Sequence, residues 1–241
     1  MPYPAISIVI PAYNEAQTIG NVIEETLTVM DSLQLPYEII IVDDGSTDNT
    51  RRIATNYMAT VLYNAKNRGK GHAVRKGFRH AQGDIIVTID ADGSHSPKEI
   101  PELINPLLNG TDVVSGSRFL GTGKYFTTRL NRFGNSLFNI TIMALTRKHV
   151  TDSQTGFRAI KKQVIDKLNL SSSGYDIETE ITVKSLKNGF TFQEKPVSCH
   201  KREYDTSKLK ILQDGSRIFK TIFKANATRI AHEAKLFAET A

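Results

Sequence analysis

A single cysteine, Cys199, stands in the sequence. It excludes an intrachain disulfide, argues against a cysteine-rich zinc site, and reads as a small packing residue. Long apolar runs are missing too. None approaches the roughly 20 residues that a bilayer-spanning helix needs, and the N-terminus lacks the basic stretch and apolar core of a secretory signal. The expectation is a protein made and kept in the cytoplasm. No internal repeat or low-complexity tract is found, which removes repeat architectures from consideration. Acidic residues are outnumbered, 25 Asp and Glu against 31 Lys and Arg. Anionic partners are therefore favoured, whether phosphates, anionic lipid or nucleic acid.

What is present suffices for a sizeable core: 241 residues, 39% of them hydrophobic. One domain over residues 1–209 and a C-terminal extension over 210–241 are expected. The organising stretch is Ile85-Ile86-Val87-Thr88-Ile89-Asp90-Ala91-Asp92. A continuous Val- and Ile-rich run suits a strand covered on both faces, as in parallel sheets. It ends in two carboxylates one residue apart. If the extended geometry continues through Ala91, both face one side and can approach one cation. Oxygen ligands suit Mg2+ or Mn2+ and leave coordination positions for a substrate diphosphate. The bland alternative is a solvated Asp-Ala-Asp-Gly turn. Ser96-Pro97-Lys98-Glu99 then reads as an N-cap, a first-turn proline and a capping box.

Elsewhere strands and helices alternate. Ala5 to Ile10 and Glu38 to Val42 are strands flanking an amphipathic helix marked by Ile19, Val22, Ile23, Leu27, Met30 and Leu33. That order implies a right-handed crossover and a parallel sheet. Ligands in such sheets sit beyond the strands' carboxyl ends, where Tyr13, Glu15, Asp43, Asp44, Asp90 and Asp92 fall. Asp43 serves equally well as a cap or a ligand at this level. Gly69-Lys70-Gly71 lacks the spacing of a phosphate-loop fingerprint and reads as a helix start near a phosphate. Further strands are expected at 59–63, 112–115 and 190–198, and the polar stretch Thr151 to Ile160 runs into strand-like residues and a helix. An apolar helix with Arg129 and Arg132 spans about 126–145. Glu178 and Glu180 sit near a helix N-terminus, where the helix dipole alone explains them. Ile211, Leu212, Ile218, Phe219, Ile222 and Phe223 form one face of a basic final helix. That helix either docks on its own domain or lies on an anionic membrane.

With these elements in order, the chain resembles the family 2 glycosyltransferases of GT-A fold, and among them the dolichol-phosphate mannose synthases and polyprenyl-phosphate relatives. The likeness runs from about Ile6 to about Leu212. Ile10-Pro11-Ala12-Tyr13-Asn14-Glu15, Val42-Asp43-Asp44-Gly45-Ser46, Asp90-Ala91-Asp92, Gly116-Ser117-Arg118, Thr155-Gly156-Phe157-Arg158, and Arg202 with Ser207-Lys208 carry it. The resemblance implies an α/β fold with a mostly parallel, Rossmann-like GT-A sheet flanked by helices, plus the C-terminal amphipathic helix. By the same resemblance, Pro11, Tyr13, Glu15, Asp43 and Asp44 line a nucleotide pocket. Asp90 and Asp92 hold Mg2+ or Mn2+ on the donor diphosphate. Arg118, Arg132, Arg202 and Lys208 face donor or acceptor phosphates, while Gln154, Arg158, Glu178 and Glu180 position the acceptor. Ser94 departs from the pattern, standing where mannose synthases often carry Gln. Transmembrane segments found in many relatives are also lacking, so attachment would rest on amphipathic helices.

The implied reaction moves a hexose from a nucleotide sugar, GDP-mannose first, to dolichyl or polyprenyl phosphate with inversion, at the cytoplasmic face of a membrane. UDP-glucose or UDP-N-acetylglucosamine donors, or a saccharide acceptor, are the alternatives. A phosphate acceptor, with a second pKa of about 6, is already largely ionised and needs no dedicated base; with a saccharide acceptor, Glu178 or Glu180 becomes the candidate base. Nucleic-acid binding is disfavoured, because the cations are dispersed and the carboxylates cluster at the expected site.

Overall fold

The computed structural model describes residues 5–120, 129–200 and 211–227. One sheet of seven strands runs through the centre: β1 (Ile6–Ala12), β2 (Tyr37–Asp43), β3 (Thr60–Tyr63), β4 (Ile85–Thr88), β5 (Val113–Ser117), β6 (Arg158–Lys161) and β7 (Phe192–Pro196). Their spatial order is β3-β2-β1-β4-β6-β5-β7. All neighbours pair in parallel except β6, which runs antiparallel to both β4 and β5. The mostly parallel α/β sheet expected from the sequence is present.

Eight helices flank it among the described residues: α1 (Ile19–Leu33), α2 (Thr50–Ala54), α3 (Lys70–His80), α4 (Ile100–Leu108), α5 (Arg129–Thr146), α6 (Lys162–Leu168), α7 (Ile177–Lys187) and α8 (Ile211–Ala227). Strand alternation divides the core into two layers. Ile6, Ile8 and Ile10 meet α1 and α4 on one face. Val9, Ile40 and Ile86 meet α3, α6 and α7 on the other. Burial on both faces is why these strands read as unbroken apolar runs.

Two local expectations change. Strand β4 ends at Thr88, and Ala91 and Asp92 lie in a turn, so extended geometry does not carry the acid pair. The capping box is also absent. Pro97–Glu99 is a 3-10 turn and Ser96 makes no side-chain cap. Glu99 accepts instead from the Ser198 amide at 2.8 and 3.1 Å; a distant donor beyond β7 has replaced the local one.

Helix α8 docks on the domain. Ile218, Ile222 and Ala225 are buried with Ile142 of α5 and Val183 and Leu186 of α7, and the Phe138 and Phe219 rings meet edge-on at 4.9 Å. Phe133, Leu137 and Ile140 of α5 and Phe223 of α8 remain exposed.

Candidate active site

The carboxyl ends of β1, β2 and β4 open onto a cavity of about 540 Å3. Loop-to-loop hydrogen bonds build its rim. The Asn14 amide donates to the Ser46 hydroxyl at 2.9 Å, the Glu15 amide to the Thr50 hydroxyl at 2.7 Å, and the Thr47 amide to Asn14 Oδ1 at 2.8 Å. These bonds stitch the segment after β1 to the segment after β2. Thr18 Oγ1 donates to the Ala91 carbonyl at 2.7 Å and ties both to the turn after β4.

Pro11, Tyr13, Glu15, Asp44, Asp90 and Asp92 all line this cavity, together with Asn67, Lys70 and Tyr175. Asp44 also anchors the wall, accepting from Asn64 at 2.7 Å and from the Arg68 and Gly69 amides at 3.1 and 2.7 Å. Asp43 is buried at the end of β2 and accepts from the Ser46 amide at 3.2 Å. It caps the turn. The Ser94 amide donates to Asp92 Oδ1 at 2.9 Å, so Ser94 braces the second acid through its backbone.

Lys70 sits between two acids. Its ammonium lies 2.7 Å from Asp90 Oδ1 and 2.8 Å from Glu178 Oε1. Burial works against that ammonium, but the Asp90 and Glu178 charges outweigh it and hold its pKa above the usual lysine range. Burial pushes the Glu178 carboxyl up, and the Lys70 charge only partly opposes this. The Arg158 charge opposes it as well. Glu178 Oε2 is buried with no hydrogen-bond partner. Gly156 fits against this cluster because a Cβ there would lie 2.7 Å from both Asp90 Oδ2 and Lys70 Nζ.

Arg118, leaving β5, grips Asp152 through Nε at 2.7 Å and Nη2 at 2.9 Å. Burial alone would raise the Asp152 carboxyl, but the Arg118 charge and hydrogen bonds hold it below the usual range. Asp90 is close enough to add to the field on Arg118. Gln154 bonds to the Ser153 and Thr179 hydroxyls at 2.9 and 2.7 Å. Arg158 is 1% exposed. Its guanidinium donates to the Thr155 and Ser153 carbonyls, both at 2.9 Å, and to the Thr182 hydroxyl at 2.7 Å. It holds the 153–155 loop from beneath. Glu180 accepts from the Ser171 and Ser172 amides and pairs with Lys184 at 2.7 Å, outside the cavity lining. Arg132 is exposed on α5. Arg202 and Lys208 lie outside the described residues.

The sequence reading passed over two buried groups. His95 is 3% exposed, its Nδ1 lies 3.1 Å from the Ser198 carbonyl, and its ring packs 5.3 Å from that of Phe157. A carbonyl can only accept, so Nδ1–H donates, and burial lowers the imidazole pKa. Asp152 carries no assigned role from the sequence. Position relative to Arg118, not local pattern, reveals it.

For a divalent ion, no three His, Cys, Asp or Glu side chains converge as a complete cage among the described residues. Two carboxylates lining one cavity and an orphaned buried carboxylate oxygen nonetheless fit a hard cation that completes its shell from substrate oxygens.

This sheet and its acid-lined edge define a glycosyltransferase of GT-A fold. Glucosyl-3-phosphoglycerate synthase from Mycobacterium tuberculosis, solved with Mn2+, UDP and phosphoglyceric acid, matches it with a TM-score of 0.72 and 25% identity, over 94% of this chain and 80% of that one. The chain belongs to glycosyl transferase family 2, whose family model matches residues 7–168. Glycosyltransferase AglJ of Haloferax volcanii is 32% identical over 95% of this chain and 74% of its own length. Dolichol-phosphate mannosyltransferase of Pyrococcus furiosus is 32% identical over 74% of this chain. The chain spans only about half, 52%, of that relative. An undecaprenyl-phosphate 4-deoxy-4-formamido-L-arabinose transferase of Sodalis glossinidius is 32% identical over 86% of this chain and 64% of its own. The protein is a glycosyltransferase.

Proposed function

We propose that the protein transfers a hexose from a nucleoside diphosphate sugar, GDP-mannose as the first candidate, to dolichyl or polyprenyl phosphate at a membrane surface, with inversion at the anomeric carbon. The carrying observation is that Asp90 and Asp92 both line one cavity at the sheet's carboxyl edge. The names of two relatives, which refer to dolichol phosphate and undecaprenyl phosphate, support the acceptor class.

Pro11, Tyr13, Glu15 and Asp44 form the end of the cavity suited to base and ribose, and Asp43 supports the turn behind them. Asp90 and Asp92 would hold Mg2+ or Mn2+. When bound, such an ion neutralises charge on the departing diphosphate. Lys70 steadies Asp90, and Arg118 adds positive potential near it. Arg132, Arg202 and Lys208 are assigned to phosphate recognition on the strength of the resemblance alone. Glu178 is 5% exposed and held by Lys70, so it positions Asp90 through that lysine and is no free base. Gln154 and Arg158 shape the adjoining loop. An acceptor phosphate already ionised near neutral pH attacks unaided.

Membrane contact fits the exposed Phe133, Leu137 and Ile140, which recur along one side of α5. Among the described residues no helix is long and apolar enough to cross a bilayer. We therefore assign a peripheral position on the cytoplasmic face, where nucleotide sugars are supplied.

A transfer assay with GDP-mannose, UDP-glucose and UDP-N-acetylglucosamine tests the reading, each donor offered dolichyl phosphate, undecaprenyl phosphate and a glycan with Mn2+ or chelator. Product on a lipid phosphate, lost with chelator, supports it. Product on the glycan alone overturns the acceptor assignment.

A further inference from the structure

A second cavity of about 240 Å3 opens between α7, α8 and the Ser171-Ser172-Ser173 loop. Lys184, Arg217, Lys220 and Lys224 line it, facing two carboxylates, Asp176 and Glu180. Both acids already have partners. Glu180 accepts from the Ser171 and Ser172 amides at 3.0 and 2.7 Å and pairs with Lys184 at 2.7 Å. Asp176 accepts from the Gly174 amide at 3.1 Å and the Thr221 hydroxyl at 2.9 Å. Asp176 also lies 3.7 Å from Arg217 Nε, and the exposed Lys220 flanks the opening.

Lys184 is buried, 5% exposed. Besides Glu180 it donates to the Asn169 carbonyl at 2.8 Å, and an ammonium carries three protons. One is left for a ligand. Arg217 leans over the loop, donating to the Ser173 hydroxyl at 3.2 Å. Gly174 leaves it room, since a Cβ there would lie 2.7 Å from the guanidinium. A buried ammonium, a guanidinium and serine hydroxyls around so small a space suit a tetrahedral dianion that accepts on several sides.

We infer that this cleft is a phosphate-binding site separate from the acid-lined cavity, taking either free phosphate or the phosphate of a lipid headgroup. The inference does not depend on the transfer reaction. The loop lining the cleft nonetheless packs against the start of α3. The Ser173 carbonyl accepts from the His72 amide at 3.2 Å, and a Cβ on Gly71 would meet the Ser172 carbonyl at 2.7 Å. A ligand in the cleft therefore braces the loop against which the N-terminus of α3, and with it Lys70, is packed.

Titration calorimetry of the full chain with inorganic phosphate at constant ionic strength tests the site in Lys220→Glu and in Lys187→Glu. Both lysines are exposed; only Lys220 lines the cleft, so Lys187→Glu controls for net charge. Thermal unfolding verifies that both variants are folded. The expected result is at least tenfold weaker phosphate binding in Lys220→Glu and wild-type binding in Lys187→Glu. Unchanged binding in Lys220→Glu, or equal loss in both, overturns the inference. Vesicles of phosphatidylglycerol and of phosphatidylcholine then identify the source. Weaker sedimentation of Lys220→Glu with phosphatidylglycerol alone supports the site with a lipid headgroup as its ligand; phosphate loss with unchanged sedimentation supports it with a soluble phosphate.

Discussion

Lys70 and Asp90 are joined by an ammonium that reaches both carboxylate oxygens, at 2.7 and 3.0 Å, which fastens the first residue of α3 to the segment after β4. The pair leaves Asp90 oriented toward the cavity it shares with Asp92. Asp90→Asn and Asp92→Asn should each lower metal-dependent transfer by about 100-fold or more, the scale expected when one transition-state charge contact is removed. Initial rates across a Mn2+ titration measure this. Wild-type turnover in both variants would refute the metal assignment.

Gly156→Ala probes the same cluster from behind. A Cβ 2.7 Å from Asp90 Oδ2 and Lys70 Nζ has to push the pair aside. We expect overpacking to cost about 1–3 kcal/mol of stability, with Mn2+ or nucleotide-sugar affinity falling at least tenfold. Binding equal to wild type in a folded variant counts against the close fit.

Asp152 and Arg118 give a pH signature. The Asp152 carboxyl is held low in the folded state, so its contribution is present above the ordinary carboxylate value of about 4 and is lost as pH falls through the lower folded value. Arg118→Met strands a buried carboxylate and should cost roughly 3 kcal/mol at neutral pH. Urea unfolding from pH 7 to pH 3 should show the gap from wild type narrowing in acid. A gap that widens in acid would reverse the sign of this assignment.

The apolar side of α5 bears on membrane contact. Phe133, Leu137 and Ile140 are 68%, 41% and 58% exposed, so a triple change to serine should leave thermal unfolding nearly unmoved. Each such side chain contributes about 1.5–3 kcal/mol when fully buried. Vesicle co-sedimentation should fall more than tenfold. Unchanged partitioning would assign the surface contact to another part of the chain.

Much of this was legible from residue order. Unbroken Ile and Val runs ending in Pro11, Asp43 and Asp90 announce strands covered on both faces and a polar edge. The roles within that edge were less accessible. Glu178 and Glu180 look equivalent in sequence, yet two residues on a helix point to different sides: one meets Lys70, the other anchors Ser171 and Ser172. Arg158 is expected, by resemblance, to position the acceptor. Its burial follows from three acceptors, two of them main-chain carbonyls of the 153–155 loop, which no periodicity discloses. Lys70 announced itself only as a helix start, because its partners lie 20 residues away at Asp90 and on α7.

Strand β6 is the one reversed member of the sheet among the described residues, and its entrance therefore lies beside the exits of β4 and β5. The chain leaves that edge at Arg118 and returns at Asp152, where the two are clasped across 34 residues. The described part of the excursion between them, helix α5, is held at its foot by a closed buckle. Such an excursion can lengthen, shorten or change its surface without disturbing Asp90 and Asp92, so evolution could retailor what the enzyme touches while leaving its acidic edge in place.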